Sequence, residues 1–254
     1  MSTENTVIEL NQVDKFFGDH AAVKDLSFQV TKGEIVALVG RTGAGKSTAL
    51  HMIMGVQEPT KGSVRVEGLD PFRQFQELRG KLAVSFQTDR LLPWRRAWEN
   101  VAIGLQILGS DKAHQRSEAI KWLENVKIVG EENVNKYPHE LSGGMRQRVS
   151  LARALSVDPE LVLLDESFSQ LDHVTSATLR ADFKDLVSEL KKTCVLITHR
   201  IDDALEMADR VLVLAAPAQL ALEVKVTDEN RNDPAWLEEK HKAIAQMMGG
   251  EQDE

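Results

Sequence analysis

The sequence predicts an α/β fold with a mostly parallel core sheet, an N-terminal antiparallel β region and an inserted α-helical region. Three observations lead there. Five short apolar runs read as buried strands: "EIVALVG" (34–40), "LAVSF" (82–86), "LVLLD" (161–165), "CVLIT" (194–198) and "VLVLA" (211–215). Val/Ile/Leu runs without polar alternation fit a parallel sheet covered on both faces. Toward the N-terminus, "VIELNQV", "DLSFQV" and "SVRVEG" alternate apolar and polar residues, the pattern of antiparallel strands with one wet face. Residues 91–157 contain no strong strand run and read as mainly helical.

Composition sets the outer limits. A chain of 254 residues, 42% hydrophobic and 28% charged, can bury a sizeable core as one large domain or a domain with a subdomain. Its net charge of -8 offers a polyanion no general attraction, so nucleic acid is not expected as a partner. The single cysteine, Cys194, lies in the run "TCVLIT" and reads as a small buried strand residue, with a catalytic thiol as the competing role. "MSTENTVIEL" lacks the basic start and apolar stretch of a signal peptide. No run approaches the roughly 18 apolar residues of a membrane span, so a cytosolic chain that meets a membrane only through partners is expected.

The first chemical motif is "GRTGAGKST", residues 40–48, which fits G-x-x-x-x-G-K-[ST] and joins the strand "EIVALV" to the helix "KSTALHMIMG". Glycines let backbone N–H groups approach phosphate oxygens, and the helix start adds partial positive charge. The candidate phosphate-binding residues are therefore Gly40, Arg41, Thr42, Gly43, Ala44, Gly45, Lys46, Ser47 and Thr48. Lys46 is expected to reach the β- and γ-phosphates, and Ser47 to bind magnesium. A plain glycine turn is the competing reading, and the strand before and helix after it argue against that.

Further along, "LVLLDE" ends a buried strand on two carboxylates. Phosphoryl transfer needs a carboxylate near the metal and a group that orients or deprotonates the attacking water, roles that suit Asp165 and Glu166 respectively. Acidic residues often end strands for solubility alone, so this pair gains its meaning from the glycine loop. Parallel strands bring their C-terminal ends to one edge, where ligands bind. That edge should carry His199, just past "CVLIT", toward the γ-phosphate, and Gln87, just past "LAVSF", toward the metal or the water. A surface His and a solvated Gln are the ordinary alternatives.

"LSGGMRQRVS", residues 141–150, places Ser-Gly-Gly at the start of a basic helix, a second invitation to an anion in a chain with a better cradle already. Ser142 can cap the helix "GMRQRVSLARALSV". The double glycine would weaken that helix with nothing close to it.

Taken in order, the glycine loop, Gln87, "LSGGM", "LVLLDE", "SQLD" (169–172) and His199 resemble the ATP-binding cassette ATPases, the motor subunits of ABC transporters. The resemblance covers roughly residues 7–215, and "LSGG" in this setting is highly specific to that family. It implies a P-loop nucleotide hydrolase cassette that uses ATP and Mg2+, with Ser47, Gln87 and Asp165 around the metal and Glu166, Gln87 and His199 as the catalytic set. Phe17, in "VDKFFG", becomes the aromatic that stacks on adenine, and Phe16 is left to core packing. Two cassettes of this family sandwich two ATP molecules head to tail. Leu141, Ser142, Gly143 and Gly144 of one chain would then close over ATP held by the other, which implies a homodimer. Two departures stand out: Ser167 where many relatives have proline, and Ser169 with Gln170 where a Gly-Ala precedes Leu-Asp. Neither removes a chemical group, and both bear on loop rigidity.

"FQTDRLLPWRRAWENVAIGLQ" (86–106) resembles bacterial importers of the nitrate, sulfonate, taurine and bicarbonate group, and "YPHELSGGMRQRVSLARAL" agrees with it. That implies transmembrane permease subunits docked on "LLPWRRAWEN" (91–100), an external solute-binding protein as indirect partner, and a place at the cytoplasmic face of the inner membrane. Trp94, Arg95, Arg96 and Trp98 are the expected docking groups, against the alternative that both tryptophans fill the helical core and the arginines are solvated. The solute stays open. A soluble ABC-type scaffold ATPase, as in iron-sulfur assembly, is the alternative without transport. The cassette is expected at residues 1–222, its helical subdomain at about 91–157, and a short extension at 223–254. Within that extension "DPAWLEEKHKAIAQMM" suits an amphipathic helix with Trp236, Leu237, Ile244 and Met248 on one side.

Overall fold

The computed structural model describes residues 5–169 and 173–249, in two compact units formed by Met1–Leu78 with Thr193–Glu254, and by Arg79–Lys192. In the first unit the parallel sheet is built around β3 (Ile35–Val39), whose five residues are all buried. β7 (Thr193–Thr198) and β8 (Arg210–Ala215) flank it in parallel, with Val39 paired to Thr198 on one side and Val213 on the other. Helices α1 (Lys46–Ile53) and α8 (Ile201–Met207) belong to this unit, α8 packing on β3 and β7. Cover on both faces explains why these strands read as unbroken apolar runs. Cys194 is fully buried in β7, and desolvation with the Asp209 charge pushes its thiol far above the usual range. It is an apolar filler, as expected.

A separate antiparallel sheet, in the order β2-β1-β4, joins β1 (Thr6–Phe17), β2 (His20–Thr31) and β4 (Lys61–Val66). β9 (Gln219–Lys225) pairs antiparallel with β8 and was not foreseen. Only Val224 of its seven residues is buried, so an edge strand of this kind leaves little periodic signal. It runs through positions 222 and 223, where the C-terminal extension was expected to begin. After α9 (Asp228–Arg231), α10 (Pro234–Met247) starts with the Asp233 carboxylate accepting from the N–H groups of Ala235 and Trp236, and with proline at the first helical position. Ile244 is fully buried, while Trp236, Leu237 and Met248 are half-buried, which is the apolar side expected from the spacing. α10 packs on α8, β8 and β9.

The second unit pairs β5 (Leu82–Ser85) with β6 (Leu161–Asp165) in parallel, Ser85 opposite Leu164. Its helices are α2 (Ala97–Val101), α3 (Ile103–Ile107), α4 (Lys112–Asn125), α5 (Glu131–Val134) and α6 (Gly143–Leu155), all within 91–157, and α7 (His173–Glu189) beyond them. Among the described residues no helix is long and apolar enough to cross a membrane.

Asn100 organises the loop ahead of α2. Fully buried, it accepts from the Leu92 N–H at 2.7 Å and donates to the carbonyls of Arg95 at 3.0 Å and of Leu92 and Arg96 at 3.2 Å. Asn100→Ala strands these groups in the interior and is expected to destabilise the chain by about 2 kcal/mol, read as a lower urea midpoint with an unchanged slope.

Candidate functional site

In the first unit the glycine loop leaves the buried end of β3 and feeds α1. Gly45 is its tightest point: φ is +86°, and a Cβ there would lie 2.3 Å from the Ala22 carbonyl oxygen and 2.8 Å from the Ala218 Cβ. Only glycine fits such a place. Gly45 also stands at the N-cap of α1 with no side chain to cap the helix, so the first N–H groups of α1 are left for an anion. Lys46 is only 5% exposed, and its Nζ donates to the carbonyls of Gly40 at 2.7 Å and Arg41 at 2.9 Å. Ala44 is buried, Gly45 and Thr48 half-buried, and Arg41, Thr42, Gly43 and Ser47 exposed. The Arg41 guanidinium donates to the carbonyl of Gly249, just past the end of α10, at 3.1 Å.

His199 follows Thr198 directly, and Thr198 pairs with Val39, so the loop and the exposed His199 leave the same edge of the sheet. Phe17, ending β1, is 48% exposed with the Lys15 ammonium 5.3 Å from its ring centre, while Phe16 is half-buried.

The second unit brings Gln87 and Glu166 together at the ends of its two parallel strands. The Gln87 amide donates to Glu166 Oε2 at 3.1 Å and reaches Ser169 Oγ at 3.5 Å. Asp165, the last residue of β6, is half-buried beside them in sequence. Glu166 itself has φ +47°. Of "SQLD", residues 170–172 lie outside the described residues, so Gln170 and Asp172 have no structural account.

Ser142 caps α6, its hydroxyl accepting from the Met145 N–H at 3.3 Å. Leu141 is buried, Ser142 and Gly143 are exposed and Gly144 half-buried. Gly144 has a reason of its own inside the chain: a Cβ would lie 2.8 Å from Thr175 Cγ2 of α7. That packing gives Gly144 a second reason to lack a side chain, beside the ligand role expected of Leu141 to Gly144.

The sequence profile of the ABC transporter family matches residues 23–169. This chain belongs to that family. As a member it is an ATP-binding ATPase cassette. It is 38% identical to an aliphatic sulfonates import ATP-binding protein of Frankia alni over 92% of this chain and 86% of the relative. A nitrate import ATP-binding protein of Synechocystis is also 38% identical, over 82% of this chain but 31% of the relative. A methionine import ATP-binding protein of Brucella abortus is 36% identical over 84% and 58%. The chain therefore spans less than two thirds of the nitrate and methionine relatives. Among solved structures, a dimeric post-hydrolysis ATP-binding cassette bound to ADP and phosphate aligns at TM-score 0.76 and 31% identity, covering 87% of this chain and 99% of that one. A component of an ABC transporter complex from Clostridium perfringens aligns at TM-score 0.82 and 22% identity over 96% of each, a likeness of fold.

Sequence reasoning missed how this cassette holds the segment after Gln87. Arg146 Nε meets Asp89 Oδ2 at 3.0 Å, and Arg153 donates to the carbonyls of Asp89 at 2.6 Å and Arg90 at 2.8 Å. Burial pulls the Arg153 pKa down from the ordinary guanidinium value, against the pull of the Asp89 charge. The two arginines lie two helical turns apart on α6, a spacing that could have marked them as one face. In "LLPWRRAWEN", Trp94 is 70% exposed and Trp98 is half-buried beneath the Arg116 guanidinium. Arg95 donates to Gln106 and Arg96 to Asn135, so neither arginine is simply solvated.

Gly45→Ala forces a side chain into left-handed backbone, at a cost of about 1 kcal/mol before the clash with Ala22 is counted. It is expected to weaken ATP binding at least about tenfold, measured by titration with a fluorescent ATP analogue, and to lower the melting temperature.

Proposed function

We propose that this chain is the ATP-hydrolysing, energy-coupling subunit of a bacterial importer for a small solute of the nitrate, sulfonate or taurine kind. It works as a head-to-tail dimer docked on transmembrane permease subunits at the cytoplasmic face of the inner membrane, served indirectly by an external solute-binding protein. The observation that carries the hydrolytic part is the Glu166 carboxylate held by the Gln87 amide at the end of a buried strand, in a chain with an uncapped helix start behind Lys46. The importer part is supported by the sulfonate import relative, of whose length this chain spans 86%, and by Trp94, a large apolar face left to solvent.

The residues fit the substrate. Gly43, Gly45 and the start of α1 offer backbone N–H groups, and Lys46 offers a buried cation whose ammonium donates to the Gly40 and Arg41 carbonyls. Phe17 presents an exposed ring on which adenine stacks. Mg2+ would neutralise phosphate charge and orient the γ-phosphate. The exposed hydroxyl of Ser47, the Asp165 carboxylate and the Gln87 amide oxygen would be its protein donors, and the described residues hold no cluster of three or more His, Cys, Asp or Glu that would cage a metal without a nucleotide. Glu166 aligns the attacking water and takes its proton as the water oxygen bonds to the γ-phosphorus and the bond to ADP breaks. His199 donates toward the γ-phosphate. Leu141, Ser142, Gly143 and Gly144, at the start of α6 with Ser142 and Gly143 exposed, serve the ATP held by the partner chain through Ser142 and Gly144 above all.

Glu166→Gln keeps the amide-sized side chain and removes the base. Phosphate release is expected to fall by at least about a hundredfold while nucleotide binding persists and the chain elutes as an ATP-dependent dimer that co-purifies with a polytopic membrane protein. Undiminished turnover would sink the assignment, and recovery in a wholly soluble complex would favour a scaffold ATPase instead. The shared sites give a second test. A mixed dimer of Ser142→Arg and Lys46→Ala chains gathers both lesions in one site and is expected to regain activity that neither variant has alone. ATP-driven dimerisation unaffected by Ser142→Arg would exclude the head-to-tail arrangement.

A further inference from the structure

We propose that Ser167 and Ser169, the two departures next to the Asp-Glu pair, are positioning residues that hold the Glu166 carboxylate against Gln87. This rests on the assignment of Glu166 as the group that aligns the attacking water.

Glu166 has φ +47°, in the left-handed region that a residue with a Cβ adopts only at a cost. Such a backbone persists where its surroundings over-determine it. Here the fixing contacts come from three sides. Ser167 is 1% exposed, and its hydroxyl donates to the Ser85 carbonyl at 2.9 Å, tying the turn to the end of the strand that runs into Gln87. The Ser169 hydroxyl donates to the Glu166 carbonyl at 2.8 Å, and the Ser169 N–H to the same oxygen at 3.1 Å. From α7, the Ser176 hydroxyl donates to the Phe168 carbonyl at 3.1 Å and accepts from Arg180 at 2.7 Å, while the Phe168 ring meets Phe183 edge-on at 6.0 Å.

A residue at 167 without a hydroxyl could not make the tie to Ser85, so the contact depends on this serine. Its consequence is geometric. Ser85 precedes Gln87 by two residues and Ser167 follows Glu166, so one hydrogen bond locks together the two backbones whose side chains meet at 3.1 Å. The turn is thus stiffened by a side-chain hydrogen bond at Ser167. Ser169 adds a second lock, because its hydroxyl holds the Glu166 carbonyl while lying within 3.5 Å of the Gln87 amide.

The test measures ATPase kcat and KM of the full chain carrying Ser167→Ala, Ser167→Thr or Ser169→Ala, each alone and combined with Glu166→Gln, together with melting temperature. A carboxylate displaced by a fraction of an ångström should cost about tenfold in kcat for Ser167→Ala, and less for Ser169→Ala, with KM for ATP changed by no more than about twofold. Ser167→Thr keeps the hydroxyl and should retain most of the rate. In the Glu166→Gln background, neither serine change should slow the residual single-turnover rate further, because the group they position is gone. Unchanged kcat in folded Ser167→Ala and Ser169→Ala overturns the proposal, and so does an equal loss in both backgrounds. Should the buried Ser167 variants fail to fold, half-buried Ser169→Ala decides by the same two readouts. Full turnover in Glu166→Gln alone would overturn the assignment of Glu166 rather than the role of the serines.

Discussion

Parallel pairing of β3 with β7 is the constraint from which the first unit's chemistry follows. Because Val39 lies opposite Thr198, the next residues of both strands, Gly40 and His199, emerge at one edge. A hairpin connection would have sent one of them to the far end. The buried ladder leaves the loop no freedom to start elsewhere, and the close approach of Gly45 to Ala22 and Ala218 fixes where it turns. Rigid strands and a tight loop are what an anion site needs, since backbone N–H groups repay an anion only when they are already aimed.

The second unit achieves the same end with side chains. Its two short strands bring Gln87 and Glu166 to one edge, but the segment after Gln87 is irregular and needs support. Arg146 and Arg153 on α6 provide it, bonding Asp89 by side chain and backbone. The helix that begins with Ser142 therefore also restrains the segment that follows Gln87. Guanidinium suits this work because its fork satisfies several carbonyls at once while remaining charged when partly buried.

Local spacing made much of this legible. The glycine loop, the Asp165-Glu166 strand end, the Ser142 cap and the four buried strands β3, β6, β7 and β8 each write their geometry into a few consecutive residues, whereas β5, expected to be buried, is half-buried at Leu82, Ala83 and Val84. What escaped depends on contacts that no short sequence pattern records. Asn100 reads as one polar residue among others until the loop from Leu92 to Arg96 folds over it. Ser167 looks like a loss of rigidity until the Ser85 carbonyl is found within reach. β9 is an edge strand with one buried residue, so no periodicity announced it. Gly144 carried a second meaning that no local pattern showed, since a side chain there would meet Thr175 of α7.

The burial of Cys194 has a practical side. It is the chain's one cysteine, it has no access to solvent, and its thiol is held protonated far above neutral pH. Maleimide dyes and nitroxide spin labels should pass it by. Single cysteines placed on the surface, for instance on α4 and α10, can then be labelled in the otherwise native chain, and distances between labels followed through a cycle of nucleotide binding and release.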